Sequence, residues 1–380
     1  MKLFWLEFKR LTMSLTFIIY TIIVVGFIMV NVSPTINNSL LKSPEPNSAG
    51  YGDITSTDYR TLKTNALDEL SYEHRTNSYV TYPLGFAKTV TLTNKNQHRV
   101  DILFQKAKLA NNRNALAKEL QQVDNLLGGQ SSYSPKDLQS FGLREMTRKE
   151  ALHDYHLIVT KDKRSGSFAR VFADIAGVIM GILPTIVVIA YCYSDRRSKA
   201  IPVIHAKAMS TFRWLVTRYL ATLAALVLPV ILVGGGLFTI RIALLYQHVQ
   251  INNFALFQAT FFWVLPTLMI SCAIGFLSDA LFENFFGFVF QTGWWLITMI
   301  IGARQVQGNY GWLFIPRHNS LHNVAYYYDH LDQLILNRAG YALLALVLLG
   351  ITNAILNLKR GGKWHALNLQ RIHLFGNSHK

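Results

Sequence analysis

Six stretches of this chain run for twenty residues or more without a single Asp, Glu, Lys or Arg: residues 11–41, with an apolar core at 13–32, then 175–194, 219–240, 242–278, 284–303 and 339–358. A bilayer core about 30 Å thick needs about 20 helical residues at about 1.5 Å each. One Lys, Arg or Asp at the centre of such a helix costs about 2.5 to 3.5 kcal/mol on insertion scales. The windows therefore predict six transmembrane helices. Composition points the same way, since only 15% of residues are charged and 51% are hydrophobic, where soluble proteins carry about 25% charged residues. The first window predicts a retained anchor, because its apolar core is longer than a signal-peptide core and no small-residue cleavage site follows directly.

The net charge of +16 would suit nucleic acid if it were gathered on one solvated surface. Its distribution argues against that. With the N-terminus inside, the short inner segments hold fourteen Lys and Arg, whereas the short outer loops hold only Arg241, Arg304, Arg317 and Arg338. The positive-inside rule then places both termini in the cytoplasm. The inner turn at 278–284 carries Asp279 and Glu283 and no base, which counts little because acids barely weigh in that rule. Much of the excess is orientation charge facing anionic membrane lipid, so no nucleic-acid partner is expected.

The resulting organisation is a cytoplasmic N-terminal amphipathic segment at 1–12, a first transmembrane helix at 13–32 and a large extracellular domain at 33–165. Transmembrane helices two to six follow within 166–358, with a cytoplasmic helix at 199–213 and an outer re-entrant or interfacial segment at 304–338. A basic cytoplasmic tail at 359–380 closes the chain. The fold class is all-α integral membrane, its extracellular domain mainly helical and inserted after the first helix. That domain has 18 basic and 14 acidic residues, the balance of a solvated surface. Asp58 is placed to cap a helix through about Arg75. The stretch Arg99 to Leu127, with apolar residues from Val100 on, predicts helix ending at Gly128-Gly129. Ser134-Pro135 has the form of an N-cap and first-turn proline, and Thr147 with Glu150 has that of a capping box. Residues 43–53, with two Pro and two Gly, form a linker. Neither Cys192 nor Cys272 falls in the domain, so no disulfide frame holds it.

Few residues invite chemistry. The sequence has no phosphate-cradling G-x-x-x-x-G-K-[ST] and no H-E-x-x-H. The segment RHNSLHNVAYYYDH holds His318, His322, Asp329 and His330. A helix would put His318 and His322 on one face, as zinc ligands often are, but an interfacial helix with Tyr326, Tyr327 and Tyr328 as its aromatic belt is favoured, and no metal is expected. Arg170 and Asp174 stand four apart at the outer entry of the second span, a candidate gate pair. The plainer reading, an ion pair settling two charges on one helix face, is favoured. Gly234-Gly235-Gly236 lies within the third span, where glycine permits close packing or a kink, and Gln291 in the fifth span is suited to bond a neighbouring helix.

The long basic stretch between the second and third spans has its own pattern. From Pro202, residues Ile201, Ile204, Ala208, Phe212 and Leu215 fall three or four apart, while Lys199, His205, Lys207 and Arg213 lie largely off that face. That is an amphipathic helix, suited to rest on the inner leaflet or to dock in a groove on a partner.

The basic start MKLFWLEFKRLTMS, the six spans, the domain after the first, and SDRRSKAIPVIHAKAMSTFRWLVTRY between the second and third together resemble a permease of the type-2 ATP-binding cassette (ABC) exporters, in the branch with a large extracellular domain. Asp195, Ser210 and Arg218 stand in places comparable to the polar start, the serine and the basic residue of that family's inner loop. The family's glycine has no counterpart here, and GWLFIPRHNSL is similar to its outer re-entrant region. The resemblance implies a non-catalytic subunit that exports a peptide, lipid, drug or ion and holds no cofactor of its own. ATP and Mg would sit on separate ATPase subunits, and a second permease chain, identical or related, would complete the transporter in contact with membrane lipid. It also implies that Ile201, Ile204, Ala208, Phe212 and Arg213 couple the permease to the ATPase. An integral-membrane enzyme using His318, His322 and Asp329, and a membrane-anchored sensor using the extracellular domain, are the alternatives.

Overall fold

The computed structural model of the chain describes residues 2–38, 41–48, 50–83, 87–198, 209–303 and 306–361. It is mostly helical. A short helix α1 (Lys2–Thr12) turns at Ser14, whose hydroxyl accepts the Phe17 N–H at 3.1 Å. Helix α2 (Leu15–Asn38) follows and continues past the expected end at Val32, through Pro34. The inserted domain comprises β1 (Asp53–Thr55), α3 (Tyr59–Thr76), β2 (Tyr79–Thr81), β3 (Lys88–Val90), α4 (Asn94–Leu109), α5 (Arg113–Leu127), β4 (Leu143–Glu145) and α6 (Arg148–Thr160). The bundle is completed by α7 (Ser165–Met180), α8 (Leu183–Arg197), α9 (Thr211–Ile231), α10 (Thr239–Leu245), α11 (Ala255–Ala259), α12 (Leu265–Phe282), α13 (Phe286–Gly302), α14 (Val324–Asp329) and α15 (Leu331–Arg360).

Five helical stretches are long and apolar enough to cross a bilayer: Leu15–Asn37, Ser165–Arg197, Thr211–Leu245, Ala255–Phe282 and Leu331–Arg360. They mark a multi-pass membrane protein. The window at 284–303 forms the shorter apolar helix α13. The window at 242–278 is not continuous helix: α10 ends at Leu245 and helix resumes only at Ala255. Absence of charge could not locate that break.

Three of the long stretches are irregular inside. Gly181 and Ile182 separate α7 from α8, and a Cβ on Gly181 would stand 2.6 Å from Ile315 Cδ1. A π-helical turn, Leu232–Phe238, holds the three glycines. There a Cβ on Gly234 would meet the Phe172 ring at 2.3 Å, so glycine is needed for α7 to pack this closely. A second π-turn, Thr260–Val264, ends two residues before Pro266. Proline has no N–H to give the carbonyl four residues earlier, and a wider turn absorbs the mismatch.

Helix α12 is the centre of the bundle and packs chiefly against α15 and α8, while α1 lies along α9. The inserted domain has a separate core, built from Leu62, Ala66 and Leu70 of α3, Val100 and Leu103 of α4, and Leu116, Leu120 and Val123 of α5. The three- and four-residue spacings are one helix face each. Its helix ends follow the local signals. Asp58 accepts from the Thr61 N–H at 3.0 Å, Gly128 adopts φ 93° at the end of α5, and Thr147 and Glu150 cap each other's backbone at the start of α6. The expected continuous helix from Arg99 is instead two, broken at Ala110–Asn112, and Ser134 opens a turn followed by a short 3-10 segment, Leu138–Gly142. The domain docks on one end of the bundle. Val324 donates to Asp154 Oδ1 at 2.7 Å and Thr55 to Gln307 Oε1 at 2.7 Å.

Candidate functional site

Buried charge in an apolar bundle demands partners, and the described charges gather at its two ends. At the end away from the inserted domain, Asp195 of α8 is 2% exposed. Arg10 of α1 donates to its Oδ1, and Arg218 Nη1 of α9 lies 2.6 Å from its Oδ2. The Tyr191 ring contacts the same two guanidiniums, 4.9 Å from Arg10 and 4.2 Å from Arg218, and its hydroxyl donates to the buried Glu7 of α1. Arg196 pairs with Asp279 of α12, and Lys359 of α15 with Glu283 at 2.6 Å. Five helices are thus tied together by ion pairs at one end.

These ties flank the stretch expected to couple with a partner. Ile201, Ile204 and Ala208 lie outside the described residues. Phe212 and Arg213 are described, but not as the end of a helix running from 199. The chain is extended at Ser210, which caps α9, and both residues sit in the first turn of α9. Phe212 is 61% exposed. Asp195 precedes the stretch and Arg218 follows it, so the described segments on both sides of it meet in one cluster.

The domain end has a second cluster. Arg170 and Asp174 do not pair with each other, which corrects the ion-pair reading. Arg170 reaches back to Asp162, in the turn before α7, at 2.6 Å. Asp174 instead faces the segment between α13 and α14. It accepts the backbone N–H of His318 at 2.9 Å and of Asn319 at 2.7 Å, with Arg317 Nε 3.8 Å away. One helix face therefore holds two unlike partners, a turn and a loop.

That loop overturns the expected histidine helix. His318 and His322 lie in non-helical chain, and His318 Nε2 is 2.7 Å from the His322 carbonyl oxygen. A carbonyl only accepts, so Nε2 carries the proton, and Nδ1 faces the Tyr310 hydroxyl. Burial, and secondarily Arg170, hold the His318 imidazole well below its ordinary range, so it is neutral with both ring nitrogens engaged. His322 faces Asp154 at 3.2 Å. Asp329 ends α14, and His330 stacks on Tyr326 at 4.0 Å. Among the described residues no three His, Cys, Asp or Glu side chains are grouped to hold a metal ion.

Two further buried groups lie within the bundle, and only the second was legible in the sequence. Arg338, counted above as a loop charge, lies within α15 and is 2% exposed. Its partners among the described residues are neutral, the Thr267 hydroxyl at 2.8 Å and the carbonyls of Trp263 at 3.1 Å and Phe314 at 3.2 Å among them. Gln291 of α13 does bond across helices, to the Gly181 carbonyl left free by the break after α7.

A comparison of the chain with protein-family models, with curated proteins and with solved structures finds no match.

Proposed function

We propose that this chain is the permease subunit of an ABC exporter, crossing the cell membrane six times with both termini in the cytoplasm and the inserted domain outside. In this reading α13 is the fifth of the six spans. Separate ATPase subunits carry ATP and Mg, and they push on the inner loop between the second and third spans to move a peptide, lipid, drug or ion. A second permease chain completes the pathway.

The observation that supports it best is the Arg10–Asp195–Arg218 cluster. It links α1, α8 and α9 on either side of the inner loop, through a buried Asp195–Arg218 pair that the half-exposed Arg10 joins from α1. Breaking a buried ion pair costs about 3–5 kcal/mol, so force applied at the loop moves the three helices together. The exposed Phe212 at the start of α9 offers an apolar contact beside it. The enzyme reading has less support, because His318 is neutral and both its ring nitrogens are already engaged.

The test is co-purification with an ATPase and ATP turnover in detergent, for wild type, Phe212→Asp and Lys207→Ala. Phe212→Asp puts an unpaired charge into the contact, an effect of several kcal/mol when buried, and should release the ATPase. Lys207→Ala, which the sequence pattern sets apart from the apolar residues, is the control and should change little, as surface charges contribute about 0 to 1 kcal/mol. Equal ATPase retention by all three proteins refutes the coupling role.

A further inference from the structure

Arg170 has bonding capacity that the protein does not use. Its side chain is 3% exposed, and its Nη2 lies 2.6 Å from Asp162 Oδ2 and donates to Ser167 Oγ at 3.0 Å. Its Nε and Nη1 have no hydrogen-bond partner among the described residues. A guanidinium carries five N–H donors and no acceptor, so three donors of a buried cation are left over. One face of the group is covered by the Tyr327 ring at 4.9 Å.

Arg170 lines a cavity of about 230 Å³ at the domain end of the bundle, with Lys161, Asn252, Gln258, Trp263 and Tyr328 among its other walls. Asp162 is the one carboxylate in that lining, and it is already engaged. It accepts from Ser167 Oγ at 2.8 Å and the Tyr328 hydroxyl at 2.9 Å besides meeting Arg170. The nearby Asp174 is turned to the backbone of His318 and Asn319, and His318 is neutral. The lining charges are therefore Arg170 and Lys161 against one Asp, which leaves an excess positive charge in a pocket walled by aromatic rings.

We infer that this cavity binds the oxyanion of a phosphate group, with the free Arg170 donors and the Lys161 ammonium as its charged contacts. A phosphate is an acceptor-only partner, which is what unused guanidinium donors recognise. At about 30 Å³ per water, the volume suits a headgroup-sized ion and not a large solute. Phe262 also lines the cavity and is 38% exposed on the span Ala255–Phe282, so the phosphate can belong to a lipid headgroup whose tails run down that span or be free in solution. The inference stands on the cavity alone and does not depend on export.

The experiment is isothermal titration of the purified full chain in a zwitterionic detergent with two probes, inorganic phosphate and dihexanoyl phosphatidylglycerol below its micellar concentration. Dihexanoyl phosphatidylcholine serves as the zwitterionic control. Saturable binding of inorganic phosphate supports a free-anion site. Binding of the anionic lipid alone supports a headgroup site. Lys161→Ala, on an exposed side chain, should weaken whichever probe binds by about tenfold, the effect of losing one hydrogen bond to a charged group. Because Arg170→Gln alone strands Asp162, the double variant Arg170→Gln with Asp162→Asn removes the buried pair together and should abolish binding while leaving the thermal melt cooperative. Absence of binding by both anionic probes overturns the inference. So does binding that survives the double variant, or a phosphatidylcholine isotherm equal to that of phosphatidylglycerol.

Discussion

The two ends of the bundle use the same residue types to opposite ends. At the α1 end one carboxylate, Asp195, gathers two guanidiniums from two different helices, so the cluster is a clamp between helices. At the domain end Arg170 and Asp174 share a helix yet form no direct pair, and each holds a piece of irregular chain against α7. The difference follows from what must be satisfied. At the α1 end the groups to be satisfied are charged side chains that meet between helices. The loop at 306–323 brings unpaired backbone N–H groups into a buried setting, where each needs an acceptor, and Asp174 supplies it. Charge at one end fixes helix positions, and at the other it fixes a loop.

The largest effect expected from this contrast is at Asp195. Asp195→Asn leaves Arg10 and Arg218 facing each other without their carboxylate, and should lower stability by about 3–5 kcal/mol, as for other broken buried pairs. The loss should appear as an early, global unfolding transition in detergent. A melt within a degree or two of wild type would mean the clamp is solvated and that the two ends do not differ in kind.

Asp174→Ala should act more weakly and more locally. It strands the N–H groups of His318 and Asn319, a loss of about 1–3 kcal/mol for unsatisfied buried donors. Hydrogen exchange should accelerate across 306–323 with α1 and α9 unchanged. Equal acceleration at both ends would break the distinction between a clamp and a loop anchor.

Much of the local structure was legible and little of the clusters was. Asp58, Gly128 and the Thr147–Glu150 capping box act within a few residues of themselves, so the sequence carries both partners in one view. Arg10 and Asp195 are 185 positions apart, and nothing in either neighbourhood names the other. Arg170 was misjudged for a subtler reason. Its fourth neighbour Asp174 satisfies the helical pairing rule, but Asp162, across the turn at 161–164, is nearer in space. The histidines failed likewise, since a spacing of four has meaning only if the chain is helical, and Gly308 and Asn319, with positive φ, belong to a turning loop. The window at 242–278 shows the limit of charge counting, which finds apolar chain but not where a helix pauses.

A third prediction concerns the helix that joins the inserted domain to the bundle. The Thr147 hydroxyl accepts the Glu150 N–H at 3.3 Å, and Glu150 accepts the Thr147 N–H at 2.8 Å. Thr147→Ala removes one cap and should destabilise the start of α6 by about 1 kcal/mol, read by hydrogen exchange in α6. Exchange in α6 equal to that of wild type would mean that the cap is not what holds this helix end.

The smallest effect concerns an ion pair that water can reach. Arg144 meets Glu150 through two bonds, at 2.6 and 2.8 Å, on half-exposed side chains. The Arg144 guanidinium, aided by the Thr147 cap, holds the Glu150 carboxyl at about 2. An unfolded glutamate titrates near about 4.3. Because the folded value is depressed, the stabilisation is complete above the unfolded value and is lost as pH falls from there toward about 2. Solvent screening keeps the pair's own contribution within about 1 kcal/mol. Arg144→Ala should therefore barely move the melt at neutral pH, and should shift Glu150 back toward its ordinary titration when followed by carboxyl carbon resonances between pH 2 and 6. Asp195 and Glu150 carry the same chemistry, an arginine on a carboxylate, and differ in access to water. If Arg144→Ala proved as damaging as Asp195→Asn, burial would not be what separates the clamp from an ordinary surface pair, and the force-bearing role given to Arg10, Asp195 and Arg218 would lose its physical basis.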